Sequence, residues 1–152
     1  MTADATTALP DGFAAIVEDF NAVPEPERLQ MLLDFSRSLP ALPERYADHP
    51  ELLEPVPECQ SPIFVIAEVE GSGDDAQVRL FFSAPEEAPT TRGFAGILHE
   101  GLDGLSAADV LTVPADVSEQ LGLSRAVSPL RLRGMAGMLG RIQRQVREKS
   151  AG

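Results

Sequence analysis

Cysteine is nearly missing from this chain: Cys59 is the single one in 152 residues. No internal disulfide can form, and no cysteine-rich zinc or iron-sulfur site can be built from this sequence alone. Tryptophan is absent, tyrosine occurs once, and histidine occurs only as His49 and His99. Neither histidine stands at helical spacing to another ligand type, and no glycine-rich phosphate loop is present, so no resident metal or cofactor is expected. The lone lysine, Lys149, lies near the C-terminus and is a poor Schiff-base candidate for pyridoxal phosphate. Cations are scarce throughout: 12 Lys+Arg against 24 Asp+Glu give a net charge of -12. Such a chain as a whole is repelled by nucleic acid and anionic lipid, and neither is expected as a partner. No apolar run approaches the roughly 20 residues that span a bilayer. Met1 to Leu9 contains neither a basic nor an apolar leader region, so a cytoplasmic protein is expected.

The composition is that of a globular protein, with 43% hydrophobic and 24% charged residues. The length predicts one domain over 1–152, with 1–9 flexible. Phe13, Ile16, Val17 and Phe20 recur at i, i+3, i+4, i+7, and Leu29, Leu32, Leu33, Phe35 and Leu39 repeat the pattern, which predicts a packed helical pair over 11–39. Pro40, Pro43, Pro50, Pro55 and Pro57 make 40–57 a proline-rich, largely extended loop, with a short edge strand near Pro57. Apolar alternation at Ile63, Val65, Ala67 and Val69, answered by Val78, Leu80 and Phe82 across Gly71-Ser72-Gly73-Asp74-Asp75, predicts a β-hairpin over 62–83. The remainder, 92–150, reads as helical. Phe94, Ile97, Leu98 and Leu102 mark one helix, and Ser106 with Asp109 resembles a capping box. Leu132, Met135, Leu139, Ile142 and Val146 mark a long helix from about Pro129 to about Lys149.

Charge is unevenly placed. Residues 122–152 hold seven basic residues against Glu148 alone, a net +6 that leaves -18 on the rest. Advancing about 100° per residue along the last helix puts Arg131 about 60° from the centre of the apolar stripe, so it is expected to be semi-buried; Arg133, Arg141 and Arg144 fall well over about 120° away and are expected in solvent. Cys59 stands in Pro57-Glu58-Cys59-Gln60-Ser61-Pro62, at a junction between loop and strand. Two readings stay open for it: a small apolar core thiol, or a reactive group held on a stiff loop. Its acidic neighbours Glu51, Glu54 and Glu58 disfavour a thiolate, so activation would need a cation brought in by the fold. A Cys-His hydrolase or thiol peroxidase would need a nearby base that the sequence does not display. Arg92-Gly93 reads most simply as an exposed arginine beside a small packing residue.

Cys59-Gln60-Ser61 before an apolar strand, Glu87-Ala88 followed by Arg92-Gly93, and Pro129, Arg131, Gly134 and Met138 in the last helix resemble, in order and spacing, the SufE family of sulfur acceptors. The pattern departs where Pro62 and Phe64 replace a glutamine and a tryptophan, and where Leu130 replaces a serine. The resemblance implies a two-layer α+β fold, a small antiparallel sheet of about three strands packed against helices, SufE/IscU-like. It implies a sulfur-transfer accessory protein rather than an independent enzyme. Cys59 would accept persulfide sulfur from a SufS-like, pyridoxal-phosphate-dependent cysteine desulfurase, stimulate that enzyme, and pass sulfur on to iron-sulfur cluster assembly, with a cluster-assembly scaffold as a further partner. Gln60, Ser61, Glu87, Arg92 and Arg131 would be the supporting residues. The alternative is a degenerate member that acts as a scaffold or regulator of a desulfurase.

Overall fold

A computed structural model describes residues 9–151. Helix α1 (Asp11–Ala22) follows Pro10 and buries the expected Phe13, Ile16, Val17 and Phe20. Helix α2 (Glu25–Ser38) follows Pro24 and carries Pro26 in its first turn, where the missing N–H has no helical partner to lose. The two meet where Phe20 stacks on Phe35, ring centroids 5.9 Å apart. They are not primarily a pair, however, because both lean on a later helix, α4 (Pro89–Leu102), and α2 does so most extensively. Gly93 of α4 explains the close approach: a Cβ there would fall 2.5 Å from the Leu32 carbonyl oxygen. Leu9, expected in a flexible lead, is buried in the core; residues 1–8 of that expectation lie outside the described residues.

The proline-rich segment is less extended than expected. It folds into α3 (Glu44–Ala47), a 3-10 turn at Pro50–Leu52, strand β1 (Glu54–Pro55) and a second 3-10 turn at Pro57–Cys59. Proline forbids a helix interior but suits a helix start, and Pro50 and Pro57 each open one of these turns.

Strands β2 (Phe64–Glu70) and β3 (Gln77–Ser83) form the hairpin, with β1 added antiparallel to β2 in the order β1-β2-β3. The register pairs Val65 with Phe82, Ala67 with Leu80 and Val69 with Val78, which gathers the alternating apolar residues on one face against the helices. On the opposite face Tyr46 of α3 packs on Phe81 at 5.2 Å and bonds the Glu68 carboxylate through its hydroxyl. The outer edge of β3 is occupied by the chain after α4: Val78 N–H donates to Leu105 O at 2.8 Å, and the Asp103 carboxylate accepts the Leu80 N–H at 2.7 Å.

Helix α5 (Ala107–Thr112) is capped as its sequence predicts, the Ser106 hydroxyl accepting the Asp109 N–H at 3.2 Å. The short α6 (Val117–Gln120) has no counterpart in the sequence reading. Helix α7 (Pro129–Ser150) begins at Ser128, whose hydroxyl accepts the Arg131 N–H at 3.3 Å, and its stripe of Leu132, Met135, Leu139, Ile142 and Val146 is buried. Because β1 is only two residues long, the edge of β2 beyond Val65 lacks a strand partner there, and α7 fills the gap. Gln145 Oε1 accepts the Ala67 N–H at 2.8 Å, and Lys149 Nζ donates to Ala67 O at 2.5 Å. This anchoring lays the N-terminal half of α7 across the turn that carries Cys59.

Candidate functional site

Cys59 closes the 3-10 turn between β1 and β2. Val56 N–H donates to Ile63 O at 2.9 Å and forms the neck of this turn; Cys59 N–H donates to Val56 O and Gln60 N–H to Pro57 O, both at 3.1 Å. Gln60 then adopts the left-handed conformation, φ 61° and ψ -6°, and reverses the chain so that Ile63 enters the core. That conformation is uncommon outside glycine, asparagine and aspartate, and it sets the path of the chain directly after the thiol.

The turn lies flat on α7 because α7 presents no side chains beneath it. A Cβ at Gly134 would stand 3.2 Å from Cys59 Sγ, and one at Gly137 would stand 3.0 Å from the Glu58 carboxyl carbon. Cys59 is 8% exposed, and its thiol donates to the Gly134 carbonyl at 3.5 Å, a helix oxygen laid bare by the missing side chain. Burial pushes the thiol pKa up to about 11, with the charge of Glu58 adding to the rise and that of Arg141 opposing it. The local expectation of a protonated thiol thus rests first on burial and only then on an acidic neighbour.

The activating cation expected from elsewhere is differently placed than the helix geometry suggested. Arg131 is exposed rather than semi-buried, because the turn and α4 leave its end of α7 uncovered. Arg141, expected in solvent, is only 24% exposed and bonds Glu58 Oε2 at 2.9 Å, with its Nε 3.5 Å from Glu54 Oε2. Arg144, also expected in solvent, pairs with Glu54 and Glu148. The stripe angle failed because acidic residues of β1 and the turn cross the flank of α7 and draw its arginines in. Gly134, Gly137 and Arg141 at i, i+3, i+7 were the available sequence signal, a second helix face marked by small residues instead of apolar ones.

Beside the turn lies a pocket of about 380 Å³ whose lining includes Cys59, Gln60, Ser61, Glu87 and Arg131. Four of the five supporting residues named from the sequence therefore share one cleft with the thiol. Leu130, 41% exposed, also borders it and supplies no hydroxyl where the family pattern has serine. Arg92 is elsewhere. It donates to Ser36 O at 2.8 Å, Ala84 O at 2.6 Å and Leu39 O at 3.4 Å, clamping the end of α2 to the chain after β3. It is half-buried, and it is Gly93 beside it that fits the packing reading. Among the described residues no group of three or more His, Cys, Asp or Glu is gathered in a way that could hold a metal ion.

Comparison with known proteins fixes the relationship. The family model described as the Fe-S metabolism associated domain, SufE, matches residues 14–146. The chain belongs to the SufE family. An uncharacterized SufE-like protein of Mycobacterium tuberculosis (strain H37Rv) is 53% identical over 97% of this chain and 99% of its own length. SufE-like protein 1, chloroplastic/mitochondrial, of Arabidopsis thaliana is 27% identical over 90% of this chain, which corresponds to 35% of the plant protein. The solution structure of a hypothetical protein from Thermus thermophilus superposes with a TM-score of 0.79 at 42% identity, covering 93% of this chain and 97% of that one. The α+β fold implied by the resemblance is thus the fold of this SufE protein, and its family is associated with Fe-S metabolism. No helix among its described residues is long and apolar enough to cross a membrane.

Proposed function

We propose that this SufE protein is a sulfur acceptor and carrier, with Cys59 as the residue that takes sulfur from a pyridoxal-phosphate-dependent cysteine desulfurase. The observation that carries the reading is the placement of the chain's single thiol at a polar cleft shared with Gln60, Ser61, Glu87 and Arg131. The Cys59 sulfur, as thiolate, attacks the outer sulfur of the donor persulfide. A bond forms between Cys59 Sγ and that sulfur while the donor's S–S bond breaks, and the electron pair leaves on the donor's inner sulfur. That sulfur takes up the proton lost by Cys59, so the exchange is redox-neutral. Arg131 supplies positive charge where anionic sulfur is handled, and Glu87, Gln60 and Ser61 supply polar contacts to the incoming chain. Such attack is fastest for an accessible thiol whose pKa lies near ambient pH, so a thiol that burial holds at about 11 becomes competent when a partner uncovers it. In this reading sulfur then passes to iron-sulfur cluster assembly, and the work is done in the cytoplasm, where a lone thiol stays reduced.

Mass spectrometry of the protein after incubation with a desulfurase and cysteine tests the assignment. The expected result is a gain of one sulfur on the peptide that contains Cys59; a desulfurase that turns over while this peptide stays unmodified overturns it. A second reading, a regulator of the desulfurase that carries no sulfur, is favoured by the burial and high pKa of Cys59. It predicts full stimulation of the desulfurase by Cys59→Ser, whereas the acceptor reading predicts none.

A further inference from the structure

We propose that Arg141 is the positioning residue that latches the cysteine turn shut, by holding Glu58 of the turn and Glu54 of β1 just before it against α7. The inference deepens the acceptor reading, because it concerns what keeps the same thiol covered. Backbone bonds close the neck of the turn at Val56 and Ile63, but they lie within the turn and do not tie it to α7. Turn and helix are joined by the weak thiol bond to Gly134 O, the close packing of Cys59 over Gly134 and of Glu58 over Gly137, and the Arg141–Glu58 bond at 2.9 Å. The last is the one charge-assisted bond of these, between an arginine 24% exposed and a carboxylate 42% exposed.

The guanidinium is also used on its other side. Its Nε faces Glu54 Oε2 at 3.5 Å, an ion pair too poorly aligned to satisfy the buried N–H, which has no hydrogen-bond partner. Glu54 is committed elsewhere, since Arg144 and Gln145 both bond its Oε1. Arg141 is thus braced by a carboxylate that α7 already holds, and its Nη1 donates both to Glu58, the residue directly before Cys59, and to Gly137 O at 3.3 Å. A lysine, as a point charge with one nitrogen, cannot face Glu58 and Glu54 from two separate nitrogens as Arg141 does. Six charged groups stand in or around the thiol's turn: Glu54 of β1, Glu58 of the turn, Glu87 just before α4, and Arg131, Arg141 and Arg144 from α7. Of the three cations, only Arg141 pairs with a residue of the turn among the described side chains; Arg144 pairs with Glu54 and Glu148, and Arg131 is exposed at the cleft.

Amide hydrogen exchange of the segment 56–63 in the whole protein tests the latch without desulfurase or sulfur, so its failure is separable from failure of the acceptor reading. Arg141→Met and Glu58→Gln are each expected to speed exchange of this segment three- to ten-fold while exchange in β2, β3 and the core of α7 is unchanged. Arg141→Lys should fall between them and the wild type. Because both residues act through one pair, the double variant should exchange no faster than the faster single variant. Raising salt should speed exchange of the segment in the wild type and not in Arg141→Met, a response that a purely packing role for Arg141 would not give. Unchanged exchange in Arg141→Met or in Glu58→Gln, additive effects in the double variant, or equal salt responses with and without Arg141 would each overturn the latch.

Discussion

A thiol held at about 11 is almost wholly protonated at neutral pH, so the reactivity of Cys59 in the free protein is set by how often it is uncovered and ionised together. Alkylation of the isolated protein is therefore expected to be at least tenfold slower at pH 8 than that of a model thiol. The rate should climb steadily through pH 9 to 10 where a model thiol levels off, and a desulfurase lacking its own cysteine should speed it. Rapid labelling of free protein at the rate of an exposed thiol would show that the burial is not maintained in solution. Arg131→Ala is expected to reduce sulfur transfer to Cys59 by an order of magnitude or more. The comparison is the exposed Arg133, since Arg144 braces Glu54, and Arg133→Ala should leave transfer within about twofold of wild type. Equal losses in both would reduce the effect to general surface charge. Cys59, Gln60, Ser61, Glu87 and Arg131 were legible as a set because the order of their motifs survives in the chain. Arg141 was not, since its role depends on which strand and turn cross α7, and a helix stripe computed from apolar residues alone contains nothing of that.

Among the elements, α7 does the most to build the cleft, and its glycines separate into two kinds. At Gly140 a Cβ would meet nothing within 4 Å, so Gly140→Ala should gain helix propensity without a clash and stabilise the protein by up to about 1 kcal/mol. At Gly134 the added methyl would stand 3.2 Å from Sγ and 3.3 Å from the Cys59 Cα. Overpacking of about 1–3 kcal/mol outweighs the propensity gain there, so Gly134→Ala should be less stable than wild type by about 1 kcal/mol. Urea unfolding of both variants checks the pair, and a stabilised Gly134→Ala would mean that the turn lifts off at little cost. The amphipathic elements, α1, β2, β3, α4 and α7, were readable because burial imposes a period on their sequences. The proline-rich segment and α6 were not: single turns of helix bury too few residues to leave a period, and proline marks the start of such a turn as readily as an extended loop.

At the scale of the molecule, the acidic body and the basic last helix meet in the Glu54, Glu58, Arg141 and Arg144 group, and stability should follow the titration of these pairs. The hydrogen bonds from Arg144 and Gln145 outweigh the burial of Glu54 and hold its carboxyl below the ordinary 4.5. Glu58, bonded by its own backbone N–H and by Arg141, is likewise lowered. The unfolded chain takes up protons first as pH falls below 4.5, so stability present above that pH is lost progressively toward the lower folded values. The thiol acts at the other limit. Above its ordinary 9.0 the unfolded chain ionises Cys59 while the folded protein keeps it protonated up to about 11, so stability declines with rising pH across that window. Burial lowers Lys149, which works in the opposite sense, and the comparison that isolates the thiol is the difference between wild type and Cys59→Ser. That difference should be constant from pH 6 to 8 and shift against the wild type between 9 and 11; a flat difference would mean that Cys59 titrates as a free thiol. The covering of the sheet's margins has a separate consequence for association. Gln145 and Lys149 occupy the β2 margin at Ala67, and the chain after α4 occupies the β3 margin from Val78 to Leu80. Another polypeptide therefore finds these backbone groups already taken, and cannot join as an additional strand there without displacing a helix or a linker. Recognition along these two margins must be written in side chains, and the same closure guards the hairpin there against the strand-by-strand growth that leads to fibrils.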